Sequence, residues 1–252
     1  MNPVLEVRDI TKIFVTEGKP DFRAVSHVSF QLNPGEILGI VGESGSGKST
    51  LARIIARLTD ATEGRIFLGD RDITRAKGKK LREAYREIQM VFQNPVSSFD
   101  PRKTLGNGVG ESLRNNGLSK TETKEAVLGL LEQCGLSKEF YERYPHEVSG
   151  GQCQRAAIAR ALAIKPKIVI CDEATSALDV TVQQQIMGLL DSFRMGNQIS
   201  YLFICHNLAL VQQFCDRVLV MKDGRIVEEG TPDEVIFSPK DEYTKMLVES
   251  IF

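Results

Sequence analysis

Three stretches of this chain carry residue types suited to phosphate chemistry. The first is GESGSGKST, Gly42 to Thr50. Its G-x-x-x-x-G-K-S spacing follows an apolar run and precedes a helical one, the setting in which backbone N–H groups close around a phosphate chain. Gly42, Gly45 and Gly47 provide the tight backbone, with Glu43, Ser44 and Ser46 between them. Lys48 is placed to reach the β and γ phosphates, Ser49 to offer a hydroxyl to Mg2+, and Thr50 follows in the helix. The second stretch is IVICDEATSALD, Ile168 to Asp179, an apolar run ending in the adjacent carboxylates Asp172 and Glu173. A strand-end Asp in such enzymes helps to hold Mg2+, usually through water. A carboxylate beside it can orient or activate the attacking water. Gln93 and His206 end two more apolar runs. The Gln93 amide suits both Mg2+ and water, and His206 suits the γ phosphate. Open α/β sheets bind ligands at the C-terminal ends of their strands, where all four groups fall. The third stretch is VSGGQCQRAAIARAL, Val148 to Leu162. Ser149, Gly150 and Gly151 precede an alanine-rich helix whose N-terminus would attract an anion. Each feature is commonplace alone; a small protein with two phosphate loops is not.

The elements that must hold these residues alternate. EILGIVG (36–42), IQMVFQ (88–93), KIVICDE (167–173) and YLFICH (201–206) are apolar on both faces, as strands of a buried parallel sheet are. LEVRDITKIF and VSFQLNPGE alternate more and read as an antiparallel edge layer. VLVMKDGRIVEEG (218–230) reads as a hairpin turning at Asp223-Gly224. Thr231 and Glu234 stand at capping-box spacing and start a short helix. Between about Pro101 and Ser149 the pattern becomes amphipathic and helical with no strand. The fold class is therefore α/β: a P-loop NTPase core with a mostly parallel sheet, an N-terminal antiparallel β layer and an inserted helical subdomain.

GESGSGKST, VFQNP, VSGGQ, VICDEATSALD and FICH recur here together, spread over nearly the whole chain. The set resembles the nucleotide-binding subunit of an ABC transporter. VFQNPVSSFDPRKTLG and RYPHEVSGGQCQRAAIARAL are more narrowly similar to ATPases of the oligopeptide, dipeptide and nickel import class. The resemblance implies one ABC ATPase domain over 1–252, with a RecA-like core at 1–100 and 150–252 and the helical subdomain at about 101–149. It implies ATP and Mg2+ as cofactors, with Phe14 stacked on adenine. Gln93 would sense a membrane partner, Glu173 would be the catalytic carboxylate, and His206 the γ-phosphate switch. Asp179 would line a subunit interface. In the family two subunits pair head to tail, so Ser149, Gly150, Gly151 and Gln152 would serve the partner's ATP. The implied partners are integral-membrane permease subunits, a second identical or related ATPase subunit, and an extracytoplasmic solute-binding protein. The chain would sit peripherally on the cytoplasmic face of the membrane and energise import of peptides or a related small solute, a nickel or metal chelate included. The stretch after Gln93 would help to form the groove that receives a short coupling helix of the permease.

Two departures stand out. Val148 replaces the family's Leu, and Cys153 replaces a larger polar residue. A thiol at a helix N-terminus can be reactive, although a tolerated small residue is the plainer reading. Longer relatives carry a cysteine-rich C-terminal extension that can hold an iron–sulfur cluster; none is expected here, and no histidine or cysteine spacing suggests a metal site.

Composition bounds the rest. Net charge is −1, from 32 basic and 33 acidic residues, which argues against a generally basic nucleic-acid-binding surface and leaves room only for a local patch. Five cysteines without a C-x-x-C pair fit a reduced compartment better than a disulfide framework. No signal peptide is expected, and no apolar run reaches membrane-span length. A soluble ABC-type ATPase of DNA repair or translation is the alternative, but its usual coiled coil, zinc modules or fused second cassette are not visible. A P-loop kinase would have no use for VSGGQ.

Overall fold

The computed structural model describes residues 2–15, 18, 20–174 and 180–250. Asp179 lies outside the described residues. The chain opens with β1 (Leu5–Phe14), β2 (Phe22–Leu32) and β3 (Ile37–Val41), followed by α1 (Lys48–Ile55), β4 (Glu63–Leu68) and β5 (Arg71–Asp72). Next come α2 (Gly78–Glu87), β6 (Ile88–Val91), α3 (Leu105–Val109), α4 (Glu111–Asn115), α5 (Lys120–Gln133) and α6 (Gly150–Leu162). The remainder is β7 (Ile168–Asp172), α7 (Val180–Asn197), β8 (Ser200–Ile204), α8 (Leu208–Phe214), β9 (Arg217–Lys222), β10 (Arg225–Gly230), α9 (Pro232–Phe237) and α10 (Glu242–Glu249).

These strands form two sheets. One is antiparallel, in the order β2-β1-β4-β5; the other runs β10-β9-β3-β8-β7-β6. In the second, β6, β7, β8, β3 and β9 pair in parallel and only β10 is antiparallel. The strands read as apolar on both faces because both faces are covered. Leu38, Ile40, Ile168, Ile170, Leu202, Ile204, Leu219 and Met221 point one way. They meet α1, through Leu51, Ile54 and Ile55, and the antiparallel sheet, through Leu5, Val7, Ile10 and Ile66. The alternate residues Val41, Val169, Cys171, Tyr201, Phe203, Val218 and Val220 point the other way, into the helices. A period of two thus divides one set of strands between two cores.

The region after Gln93 is helical, as its pattern predicts, but its helices are shorter. A 3-10 turn spans Val96–Ser98. The amphipathic stretch from Thr104 to Asn116 forms two short helices, α3 and α4, meeting at Gly110. Helix α5 starts at Lys120 behind a complete capping box between Ser119 and Glu122. Leu105, Val109, Leu113, Val127 and Leu131 share their core with Val169 and Phe203 of the sheet. The Asp223-Gly224 hairpin turn forms with φ +48° and +78°, the left-handed pair that such a turn requires.

Candidate active site

The phosphate loop leaves β3 at Val41 and enters α1 at Lys48. Gly42 has φ +149°, and a Cβ there would lie 2.1 Å from the Met221 carbonyl oxygen. Gly47 has φ +102°, and a Cβ there would lie 2.3 Å from the Ala24 carbonyl oxygen. Both glycines are therefore required by close approach to backbone as well as by conformation. The loop is held from outside: Gly224 N–H donates to the Ser46 carbonyl at 2.9 Å, and Ser26 N–H to the Gly224 carbonyl at 2.8 Å. Inside it, Lys48 Nζ donates to the carbonyls of Gly42 and Glu43, both at 2.7 Å, and to Ser46 Oγ at 3.2 Å. Lys48 is buried, and burial lowers its pKa; Glu173, the Cys205 thiol, Asp172 and Glu43 pull the other way.

Ser49 Oγ donates to Asp172 Oδ1 at 2.8 Å. Asp172 is buried at the end of β7, and burial raises its pKa, with Glu173 adding to the rise; the Ser49 hydrogen bond, Arg53 and Lys48 oppose it. Glu173 follows in the left-handed region at φ +49°, an uncommon conformation for a non-glycine residue, and its N–H donates to the Ile204 carbonyl. Gln93, two residues past β6, donates from Nε2 to Glu173 Oε2 at 2.6 Å. A concavity of about 290 Å3 lies against Lys48, Ser49, Gln93 and Glu173, with Ser44, Gly45, Gly47, Thr50, Phe22 and Ala24 completing its lining.

This donor set fits a polyphosphate and a hard cation. It combines a buried ammonium at a helix N-terminus with a hydroxyl that is paired with a carboxylate. Phe14 lies outside the concavity's lining but directly across the strand pair from Phe22. Both rings are exposed, 41% for Phe14 and 61% for Phe22, and Lys12 Nζ sits 5.0 Å from the Phe14 centroid. His206 is exposed just beyond β8 and is not in the lining. Ser149, Gly150, Gly151 and Gln152 are not in it either. Ser149 caps α6 in a complete box: its Oγ accepts from Gln152 N–H at 3.3 Å, and Gln152 Oε1 accepts from Ser149 N–H at 2.9 Å.

Cys153 is fully buried, and burial raises its thiol to about 11, against the weaker opposing influence of Arg160. It is a packing residue, as the plainer reading has it. Two residues that pattern reading missed bear on the site. Arg160, on α6, donates to the Ser98 carbonyl and to Ser98 Oγ at 2.9 Å, and lies 4.3 Å over the Phe99 ring. It ties the helix behind the second glycine loop to the segment that follows Gln93. Tyr243, on α10, accepts a hydrogen bond from Glu43 N–H at 2.8 Å. Nothing in the sequence signals that contact across 200 residues.

A sheet with its phosphate loop, strand-end carboxylates and glutamine at one edge defines a P-loop nucleoside triphosphatase. The chain belongs to the ABC transporter family, whose model matches residues 25–176. It is an ATPase domain of the kind that hydrolyses ATP to drive transport. The oligopeptide transport ATP-binding protein OppF of Salmonella typhimurium is 44% identical over 98% of this chain and 77% of its own length. The di/tripeptide transport ATP-binding protein DppF of Pseudomonas aeruginosa is 41% identical over 99% and 79%. Among solved structures, the ATP-binding cassette MJ0796, dimeric and bound to ADP and Pi, superposes with a TM-score of 0.84 at 30% identity, covering 90% of this chain and 98% of that one. CbiO1 of Clostridium perfringens, part of an ABC transporter complex, gives 0.81 at 28% identity, over 94% and 92%. The fold class read from the sequence is thus the ABC cassette fold. The relatives are transport ATPases, which sets aside the DNA-repair and translation reading. Among the described residues no helix is long and apolar enough to cross a membrane.

Proposed function

We propose that this chain energises a peptide importer as half of a head-to-tail ATPase pair, bound peripherally to permease subunits at the cytoplasmic face. The names of its relatives support a peptide as the solute. The observation that carries the paired arrangement is the second glycine loop. It is capped at a helix N-terminus, exposed at Ser149 and Gly150, and absent from the lining of its own chain's phosphate concavity. A loop so placed serves a nucleotide held by another subunit, identical or related.

In this reading Lys48 and the loop N–H groups bind the phosphates, and Phe14 stacks on the base. Ser49 and Asp172, with Gln93, would hold Mg2+, which supplies neutralisation of phosphate charge. Glu173 orients the attacking water and accepts its proton, and His206 contacts the γ phosphate. Gln93 already holds the Glu173 carboxylate, so any movement of the segment after β6 moves the base. A cleft of about 450 Å3 lies between α2 and α4, lined by Arg82, Tyr85 and Arg86 of the one and Ser112, Asn115 and the adjoining Asn116 of the other. It suits a short permease helix bearing an acidic residue.

The test is complementation. Ser149→Arg is expected to leave ATP binding by the isolated chain within about twofold and to abolish ATP-driven dimerisation. Lys48→Ala is expected to fail at binding. Mixed with each other, or distributed over a related partner subunit, the two variants restore one intact composite site and part of the hydrolysis. A Ser149→Arg chain that loses nucleotide affinity as a monomer would place both glycine loops in one site and refute the arrangement.

A further inference from the structure

The peptide joining Gly42 to Glu43 is held from both sides. Its carbonyl accepts from Lys48 Nζ at 2.7 Å, and its N–H donates to Tyr243 Oη at 2.8 Å. A trans peptide points these two groups in opposite directions, so two partners on opposite sides fix the plane of the unit. The Glu43 carbonyl also accepts from Lys48 Nζ, at 2.7 Å. The seat of the phosphate-binding ammonium therefore includes a peptide whose orientation Tyr243 sets.

The hydroxyl is delivered from a rigid frame. Glu228 of β10 accepts from Lys240 N–H at 2.9 Å and Asp241 N–H at 3.0 Å, which fixes the start of α10. Asp241 caps the helix by accepting from Tyr243 N–H at 2.8 Å. The Tyr243 ring is buried, with Lys222 Nζ 4.7 Å from its centroid. Lys222 ends β9, and the turn that follows gives the Gly224 N–H to the Ser46 carbonyl. The hairpin and α10 together grip the outer surface of the phosphate loop, away from the concavity.

We infer that Tyr243 is a positioning residue for nucleotide binding: its hydroxyl holds the Gly42–Glu43 peptide so that the loop is ordered before ATP arrives. The inference rests on the reading that this loop holds the phosphates. Ordering a loop in advance removes a cost from binding. One neutral hydrogen bond corresponds to about threefold to tenfold in affinity.

Tyr243→Phe in the 252-residue chain tests it, because the ring stays packed and only the acceptor is lost. Amide exchange at Glu43, measured without nucleotide, is expected to accelerate. The Kd for ATP and the KM of hydrolysis are expected to rise about threefold to tenfold, with kcat at saturating ATP changed by less than twofold. Leu247→Ala disturbs the same helix and leaves the hydroxyl in place. It is expected to lower Tm while keeping ATP affinity within about twofold. The proposal is overturned if Tyr243→Phe leaves both Glu43 exchange and ATP affinity as in the parent chain. It is also overturned if Leu247→Ala weakens ATP as much as Tyr243→Phe, since the helix would then be acting only through stability. Loss of binding in Lys48→Ala tests the underlying reading separately, and the exchange measurement needs no nucleotide.

Discussion

Replacing Arg160 with Met removes a half-buried guanidinium that bridges α6 to the segment after Gln93. In the parent chain it serves two acceptors on Ser98 and covers the Phe99 ring at 4.3 Å. Stranding an acceptor costs about 1–3 kcal/mol, and the lower end applies to half-buried Ser98. The lost ring contact adds about 0.5–2 kcal/mol. Part is returned, because burial depresses the Arg160 pKa and shows that its charge is held at a cost. The net expectation is a loss of about 2–3 kcal/mol. For a chain of this size that is a Tm lower by roughly 4–12 °C, read by thermal denaturation followed by circular dichroism without nucleotide. Arg160→Lys is expected to recover less than half, since an ammonium cannot fork to a carbonyl and a hydroxyl while lying flat on a ring. Because Gln93 precedes this segment and holds Glu173, kcat is expected to fall with stability. A Tm change under about 2 °C for Arg160→Met would show that the bridge contributes little and would refute the reasoning.

Other outcomes follow from the same geometry. Asp172→Asn is expected to abolish hydrolysis yet raise Tm by a few degrees at pH 7–8. Burial raises the Asp172 pKa, so its charge costs nothing at a pH below the ordinary carboxylate range and costs fully above its folded pKa; the gain should therefore shrink on acidification, and a gain that grew in acid would contradict the assignment. Phe14→Ala is expected to weaken ATP about tenfold or more, as loss of a stacked ring does, and unchanged affinity beside a weakened Phe22→Ala would transfer the stacking to Phe22. Cys153, with its thiol near 11, is expected to resist alkylation at pH 8 until the chain unfolds, because only roughly one thiol in a thousand is ionised there; rapid labelling of the folded chain would reopen its reactivity.

Much of what depends on near neighbours is legible in the chain alone. The phosphate loop, the strand-end acids and the capping box at Thr231 are each set by a few consecutive residues, and the structure forms them there. The strands were legible because apolar residues on both faces leave few other places for a segment to go. Pattern gave the Asp223-Gly224 turn but not its purpose, which is to reach the Ser46 carbonyl. It gave a helix after Ser149 but not the burial of Cys153 within it. It pointed to Phe14 and could not show that Phe22 stands directly opposite and lines the concavity beside the phosphate loop. The Arg160–Ser98 and Tyr243–Glu43 contacts, which join residues 62 and 200 positions apart, arise only once the chain has packed. Propensity, periodicity and capping act over a turn or two of chain. A hydrogen bond between distant segments exists only where two sheets and their helices have already packed and brought a donor and an acceptor within about 3 Å of each other.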